Sequence, residues 1–370
     1  YLVPYLDALI HYPPSFFKGF AVTTDIFILK HKTRATEKIS FLNIKNTEIL
    51  RDVNNLKKII SRKIDVLEND YSVVNIDKQI INPNDNWRLY LIDPSNKFDK
   101  FISTEGLTTI ESLFPDIKRG KAGNSGGSSN LFPKSGNNEL SNLVERIEPN
   151  YIGFGLLRNN IQGGRRKFIL TKKCLENSKG ILMSKVKADS FLSLSNLSEE
   201  PGMKKYIEGM YSILGSKKSK QIISDAINSR VIPEIIIPRG DRTKHSVFYY
   251  PFIDKEVLLS TNFFSLHGLR DNNDPDSEKN IKFVAAFLIS TLGQIQFEIH
   301  GNSQEGSRKI EKFIIEKFKI IDPRSVTVSE LNHVVTEFGL INDLNSDFIG
   351  IESVNPREKI DYVICSILFN

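Results

Sequence analysis

Basic side chains are concentrated in stretches of the sequence that contain no acidic residue. Between Tyr151 and Lys173 there are six lysines and arginines and no aspartate or glutamate, interleaved with asparagine, glutamine and glycine. Uncompensated cations create a positive local potential, and Arg, Asn and Gln form paired hydrogen bonds with guanine and adenine edges. The segment predicts contact with an anionic polymer; the alternative is a basic surface loop that serves only solubility.

Three further basic stretches contain glycine: residues 118–134, 238–244 and 306–309. Small residues let a phosphate backbone approach the chain closely, and lysine and arginine release its counterions. Each stretch alone could be a linker or a surface turn. The lysines and arginines of all four stretches together, however, reach the roughly 6–10 phosphate contacts that a specific DNA-binding protein makes. The predicted DNA contacts are Arg119, Lys121, Asn124, Arg158, Arg165, Arg166, Lys167, Arg239, Arg242, Lys244, Arg308 and Lys309.

Signatures of catalysis and of metal binding are weak. The two cysteines, Cys174 and Cys365, have no second cysteine nearby, and the six histidines are scattered, so we predict no disulfide scaffold, metal site or catalytic residue. Glu105 followed by Asp116 and Lys118 imitates the carboxylate and Asp-x-Lys pattern of metal-dependent nucleases, with a spacing loose enough to arise by chance. A metal-dependent DNA endonuclease is therefore kept as an alternative.

Composition excludes several classes of protein. The chain has 370 residues, of which 40% are hydrophobic and 25% charged, and its formal net charge is +6. These values are typical of a globular protein, and no apolar run approaches the roughly 18 residues of a membrane-spanning helix. We expect no membrane association, and the low cysteine content favours a reducing, cytoplasmic location.

The residue patterns predict helices around a middle region made mostly of strands. A β-branched and aromatic run at 20–30 predicts one buried strand, and apolar spacing at 47–60 predicts an amphipathic helix capped by Thr47. Further predicted elements are a flexible Gly/Ser loop at 118–130, a hairpin formed by 235–238 and 245–251, a buried helix at 281–292, and helices at 328–340 and 357–368.

The order of these segments resembles the C-terminal part of the N6-adenine DNA methyltransferases of restriction–modification systems, including their TaqI-like specificity (target-recognition) domain. The likeness spans nearly the whole chain, and the segments that carry it are 16–30, 117–124 with Leu131 and Phe132, 259–266, and 282–292 followed by Gly301, Gly306, Arg308, Lys309 and 320–323. Residues 259–266 are similar to a central strand of the family, and 16–30 look like the final strand pair of the methyltransferase sheet.

The resemblance implies an α+β fold with a mixed, β-rich target-recognition domain, flanking helices and a helical C-terminal segment, preceded by the last strands of a methyltransferase α/β domain. The implied domains are the methyltransferase end (1–35), a helical and extended connector (36–100), the DNA-binding recognition domain (101–322) and a C-terminal helical segment (323–370). The chain is thus expected to hold the end of one domain and the whole of another.

The function implied is sequence-specific recognition of double-stranded DNA, as the specificity region of an N6-adenine methyltransferase or type II restriction–modification enzyme. The family's Phe-x-Gly-x-Gly and Asn-Pro-Pro-Tyr motifs do not occur in the chain. We therefore expect no cofactor in this chain, S-adenosyl-L-methionine in the full enzyme, and a methyltransferase domain or subunit as partner. A scaffold subunit whose strand at 20–30 completes a separate partner's sheet is the second alternative.

Individual roles follow from the same interpretation. Arg165 or Arg166 is expected to reach base edges in the major groove, where a paired contact contributes about 1–3 kcal/mol of discrimination. Lys121 and Lys309 are expected to hold phosphates, so that removing either lowers the salt dependence of binding.

Overall fold

The structure is a computed structural model that divides into two compact units, each described by itself. The first comprises Tyr1–Leu107 and Ile295–Ile310, and the second comprises Thr108–Gln294 and Glu311–Asn370. The residues that the structure describes are 3–12, 24–31, 36–46, 53–63, 65–81, 90–91, 106–122, 128–132, 138–157, 178–241, 245–304, 307–343 and 354–369.

A five-stranded sheet forms the centre of the first unit. Its strands follow the order β2-β1-β3-β5-β4, with β1 antiparallel to β2 and parallel to β3. Successive side chains alternate between two apolar clusters: Leu9 and Phe41 face one, and Ala8 and Leu42 face the other. The elements are β1 (Leu6–Tyr12), β2 (Thr24–Leu29), β3 (Lys38–Ile44), α1 (Val53–Arg62), β4 (Val66–Leu67) and β5 (Tyr71–Asp77).

The strand expected at 20–30 is present as β2, but the expectation that it is buried is wrong. Ile26, Phe27 and Leu29 are 42%, 47% and 50% exposed. In the described part of the sheet β2 is an edge strand that pairs with β1, and a β-branched run does not distinguish edge from central strands.

The segment interpreted as a connector, 36–100, supplies β3, β4 and β5 to this sheet as well as α1. Helix α1 overlaps the helix expected at 47–60 from residue 53 and continues to Arg62, whereas the expected cap, Thr47, lies outside the described residues. The domain boundaries at residues 35, 100 and 322 stay predictions.

A buried carboxylate joins several segments of the first unit. The Asp7 side chain is 2% exposed, and its oxygens accept hydrogen bonds from Lys30 Nζ (2.9 Å), Lys63 Nζ (3.1 Å) and Thr36 Oγ1 (3.0 Å). Burial alone would raise the pKa of Asp7, but the bonds from Lys30 and Lys63 outweigh it and hold the pKa below its ordinary value of 3.8.

Asp7→Asn is expected to lower the free energy of unfolding at pH 6 by about 2–3 kcal/mol, because it removes the charge that Lys63 faces. A lowered folded pKa means that this stabilisation is present above the unfolded pKa and is lost as the pH falls through the folded value. Urea unfolding of both proteins should give a larger difference at pH 6 than at pH 3. An equal difference at both pH values would contradict the assignment, and Glu37→Gln, at an exposed carboxylate, is the control.

The second unit contains two four-stranded sheets that share one apolar core. Their strand orders are β10-β14-β8-β9 and β13-β11-β15-β7. Phe154, Leu156 and Val257 of the first sheet pack with Ile236 and Phe263 of the second, as expected for sheets stacked face to face. The strands are β7 (Asp116–Arg119), β8 (Ile152–Leu156), β9 (Lys179–Ile181), β10 (Arg230–Val231), β11 (Ile235–Pro238), β12 (Gly240–Asp241), β13 (Phe248–Tyr249), β14 (Val257–Leu259) and β15 (Phe263–His267).

Shorter strands and the helices complete the structure. Strand β6 pairs with β18, and β16 pairs with β17. These strands are β6 (Leu107–Thr109), β16 (Asn302–Gln304), β17 (Ser307–Lys309) and β18 (Lys319–Ile321). The helices are α2 (Ile110–Leu113), α3 (Asn138–Val144), α4 (Ala188–Ser193), α5 (Pro201–Leu214), α6 (Ser216–Asn228), α7 (Ser277–Ile289), α8 (Thr291–His300), α9 (Lys312–Glu316), α10 (Val328–Asp343) and α11 (Val354–Phe369).

The α+β fold and several expected elements are confirmed. Strands β11 and β13 form the expected hairpin, in which Ile235 lies opposite Tyr249. Helix α7 is buried along most of its length and packs against α10 and α11, the two expected C-terminal helices. Among the described residues no single helix is long and apolar enough to cross a membrane; the bent pair α7 and α8 meets that test by length and composition alone.

Candidate nucleic-acid interface

A three-residue turn carries the chain from one four-stranded sheet to the other. Ser260, Thr261 and Asn262 connect β14 to β15, and the Phe263 backbone N–H closes the turn on the Ser260 carbonyl oxygen at 3.0 Å. We call these three residues the sheet corner. The resemblance implies a central strand over 259–266, and that expectation is wrong at the corner, where β14 ends and β15 begins.

The end of β7 lies against the sheet corner. Arg119 Nε donates to the Thr261 carbonyl oxygen at 3.1 Å, and the Thr261 N–H donates to the carbonyl oxygen of Ala122 at 2.7 Å. Lys118 and Arg119 therefore belong to a strand, not to the flexible loop expected to start at residue 118. Lys121 follows with an exposed side chain, while its backbone N–H donates to Ser229 Oγ at 2.9 Å.

The end of β11 reaches the same corner from the other side. The Arg239 N–H donates to the Asn262 carbonyl oxygen at 2.6 Å, and Arg239 Nε lies 3.1 Å from Glu311 Oε1. Burial and the neighbouring charge of Arg239 lower the pKa of Arg119, and Glu311 opposes that shift. Arginine is a very weak acid when protonated, so the Arg119 guanidinium is still a cation at neutral pH.

Residues near the other basic segments bond to the corner or to strand β8, which ends beside it. The Ser260 N–H donates to the Leu156 carbonyl oxygen at 3.1 Å, and the Gly155 N–H donates to that of Ser178 at 2.9 Å. Leu157 and Ser178 bracket residues 158–177, Ala122 precedes 123–127, and Asp241 precedes 242–244. The predicted contacts outside the described residues are Asn124, Arg158, Arg165, Arg166, Lys167, Arg242 and Lys244.

The last two predicted contacts lie in the other unit. Arg308 and Lys309 are in β17, where Arg308 is opposite Ser303 and Lys309 is opposite Asn302 of β16. Of the twelve predicted residues, the structure thus brings together Arg119, Lys121 and Arg239.

Sequence reasoning missed the residues that hold these cations. Thr261 accepts a hydrogen bond from Arg119, and Glu311 pairs with Arg239. Neither carries a local signal, because their partners lie 142 and 72 residues away in the sequence. A polar Ser-Thr-Asn triplet inside an apolar run was the one visible sign of a break.

Asp116 and Lys118, the described residues of the nuclease-like pattern, bond to each other. Asp116 and Lys118 form an exposed ion pair at 2.5 Å, and Glu105 lies outside the described residues. Across the part of the chain that the structure describes, no group of three or more His, Cys, Asp or Glu side chains is arranged to hold a metal ion.

Gly120 leaves no room for a side chain. A Cβ atom at this position would lie 2.3 Å from the Ser260 carbonyl oxygen and 2.4 Å from that of Leu259.

Gly120→Ala is expected to reduce the free energy of unfolding by about 1–3 kcal/mol, because the backbone of one of the two segments would have to move. In the control, Gly339→Ala in α10, the new atom meets nothing within 4 Å, so urea unfolding should show a gain of up to about 1 kcal/mol. Equal effects at both sites would contradict the close approach.

The chain is similar to restriction enzymes. The family model described as "Restriction endonuclease BpuSI, specificity domain" matches residues 118–347, whereas no curated protein matches the chain. The fold is similar to the crystal structure of the type IIG restriction endonuclease BpuSI, with 15% sequence identity and a TM-score of 0.50 over 98% of this chain. The match spans 43% of the BpuSI chain. Residues 118–347 include the sheet corner and the three basic segments near it in the sequence, and the chain belongs to the family of BpuSI-type restriction endonuclease specificity domains.

Proposed function

We propose that this chain binds double-stranded DNA through the sheet corner and the basic segments that leave it, and reads a specific sequence there for a restriction–modification enzyme. The family supports DNA sequence recognition as the general role. The assignment of that role to this surface is our inference.

The observation that carries the proposal is the convergence of separate parts of the chain. Ala122 before 123–127, Leu156 shortly before 158–177 and Arg239 shortly before 242–244 all bond to three consecutive residues, Ser260 to Asn262. Ala122 and Arg239 are more than a hundred positions apart in the sequence. Each of these segments carries predicted DNA contacts. Loops supported by a rigid sheet are a common way to present binding residues, and phosphate contacts set the register in which bases are read.

The electrostatics of the described corner favour an anionic ligand. Arg119, Lys121 and Arg239 supply three positive charges, and Glu311 pairs with one of them. Arg119 is oriented by Thr261 through a backbone carbonyl, which leaves its charge uncompensated by that bond. When DNA binds, cationic side chains displace counterions from its phosphates. Side chains that the fold already holds in place do so with a smaller entropic cost of ordering.

We further propose that the catalytic work belongs to a methyltransferase domain or subunit that is a partner of this chain, with S-adenosyl-L-methionine as its cofactor and the N6 atom of adenine as its target. The exposed apolar side chains of the edge strand β2, Ile26, Phe27 and Leu29, support a protein partner at the sheet of the first unit. A cytoplasmic location is consistent with this role.

The salt dependence of binding tests the role of Lys121. Affinities for duplex DNA are measured by fluorescence anisotropy at several salt concentrations. The logarithm of the association constant should fall linearly with the logarithm of the salt concentration, and Lys121→Gln should reduce the magnitude of that slope by about one. Lys205→Gln, at an exposed position on α5, is the matched control and should leave the slope unchanged. Equal slopes for the wild type and Lys121→Gln would remove Lys121 from the interface, and no binding of duplex DNA at low salt would overturn the proposed function.

A further inference from the structure

We propose that Asn262 is a specificity-determining residue, whose side-chain amide forms paired hydrogen bonds with an adenine edge of the recognised DNA. This inference rests on the proposed function and adds a residue that the sequence patterns did not single out. It follows from the position of Asn262, from the state of its side chain and from the conformation of its backbone.

The backbone around Asn262 is fixed from three directions. Leu156 accepts a hydrogen bond from the Ser260 N–H, Ala122 accepts one from the Thr261 N–H, and the Asn262 carbonyl oxygen accepts one from the Arg239 N–H at 2.6 Å. A side chain that reads bases has to be held within a fraction of an ångström, and a side chain on such a backbone meets this requirement better than one on a long loop.

The side-chain amide of Asn262 is half-buried and makes no hydrogen bond within the described residues. The bonds of this residue are those of its backbone, with Arg239 and with Ser260 Oγ at 3.4 Å. Buried amides almost always have protein partners, so a partly exposed one without a partner is available to a ligand. The amide supplies one acceptor and two donor hydrogens.

A role in shaping the turn does not account for asparagine at this position. Asparagine is favoured in turns where the backbone takes a positive φ, but the described non-glycine residues with positive φ are Lys63, Leu194 and Asn196. Asn262 has an ordinary φ in a turn closed by the bond from the Phe263 N–H to the Ser260 carbonyl oxygen, and such turns accept most residues. The fold therefore tolerates other side chains at residue 262.

The neighbours of Asn262 suit a base-reading role. The Arg119 guanidinium bonds to the Thr261 carbonyl oxygen and the Arg239 backbone N–H bonds to Asn262 itself, so both arginines belong to the same corner as the amide. Phosphate contacts by these arginines would position the duplex, and the amide would then meet a base edge. Asparagine pairs with the N6 and N7 atoms of adenine, accepting from one and donating to the other.

The test is selection of binding sites from a randomised duplex library by the 370-residue chain. Wild-type protein should enrich a motif that contains adenine at a fixed position. Asn262→Ala should reduce the preference for that adenine by about 5- to 140-fold, the equivalent of one lost paired contact, and leave the rest of the motif unchanged. Asn273→Ala changes an exposed asparagine beyond the far end of β15 and should select the wild-type motif.

A second variant guards against a folding defect. Asn262→Asp has nearly the same shape but cannot donate to N7, and it should move the preference at the same position towards cytosine, whose N4 group donates to a carboxylate. Asn262 is not a specificity residue if both variants select the wild-type motif, or if the position that changes prefers guanine or cytosine in the wild type. Failure of the wild-type chain to enrich any motif would instead overturn the proposed function, and with it this inference.

Discussion

The second unit depends on how closely β7 approaches the turn between its two sheets. Gly120 has two backbone carbonyl groups within about 2.5 Å of the place where its Cβ would be, so glycine alone fits there. The bond from the Thr261 N–H to Ala122 then fixes the turn, and the end of β8 pairs with Ser260. Because the sheets share one core, a shift at this contact would also disturb the packing of Phe154 and Phe263.

This constraint explains why the cations are found where they are. A chain that must pass closely at Gly120 places Arg119 and Lys121 on either side of the contact, and the end of β11 brings Arg239 to the same turn. The apolar core lies beneath, so the charged groups remain at the rim of the sheets. Three of the basic segments that the sequence singled out are near residues of this rim in the chain, and a fixed scaffold is a common support for binding residues.

Local patterns predicted the elements whose causes are local. The hairpin of β11 and β13 follows from two apolar runs separated by a polar, glycine-containing segment, and the C-terminal helices follow from their apolar spacing. The turn expected at Gly240 and Asp241 is instead the short strand β12. The break at 260–262 was missed because Ser-Thr-Asn contains neither glycine nor proline, and its partners are distant in sequence. The exposure of β2 was missed because strand order within a sheet is not a local property.

Hydrogen exchange of the chain with and without duplex DNA tests the central claim, that DNA binds at the sheet corner, most directly. The account predicts slower exchange on DNA binding in peptides that cover 117–122, 155–178, 239–246 and 259–263, with exchange in α5 and α6 unchanged. Slower exchange confined to other surfaces, with these peptides unaffected by DNA, would contradict it.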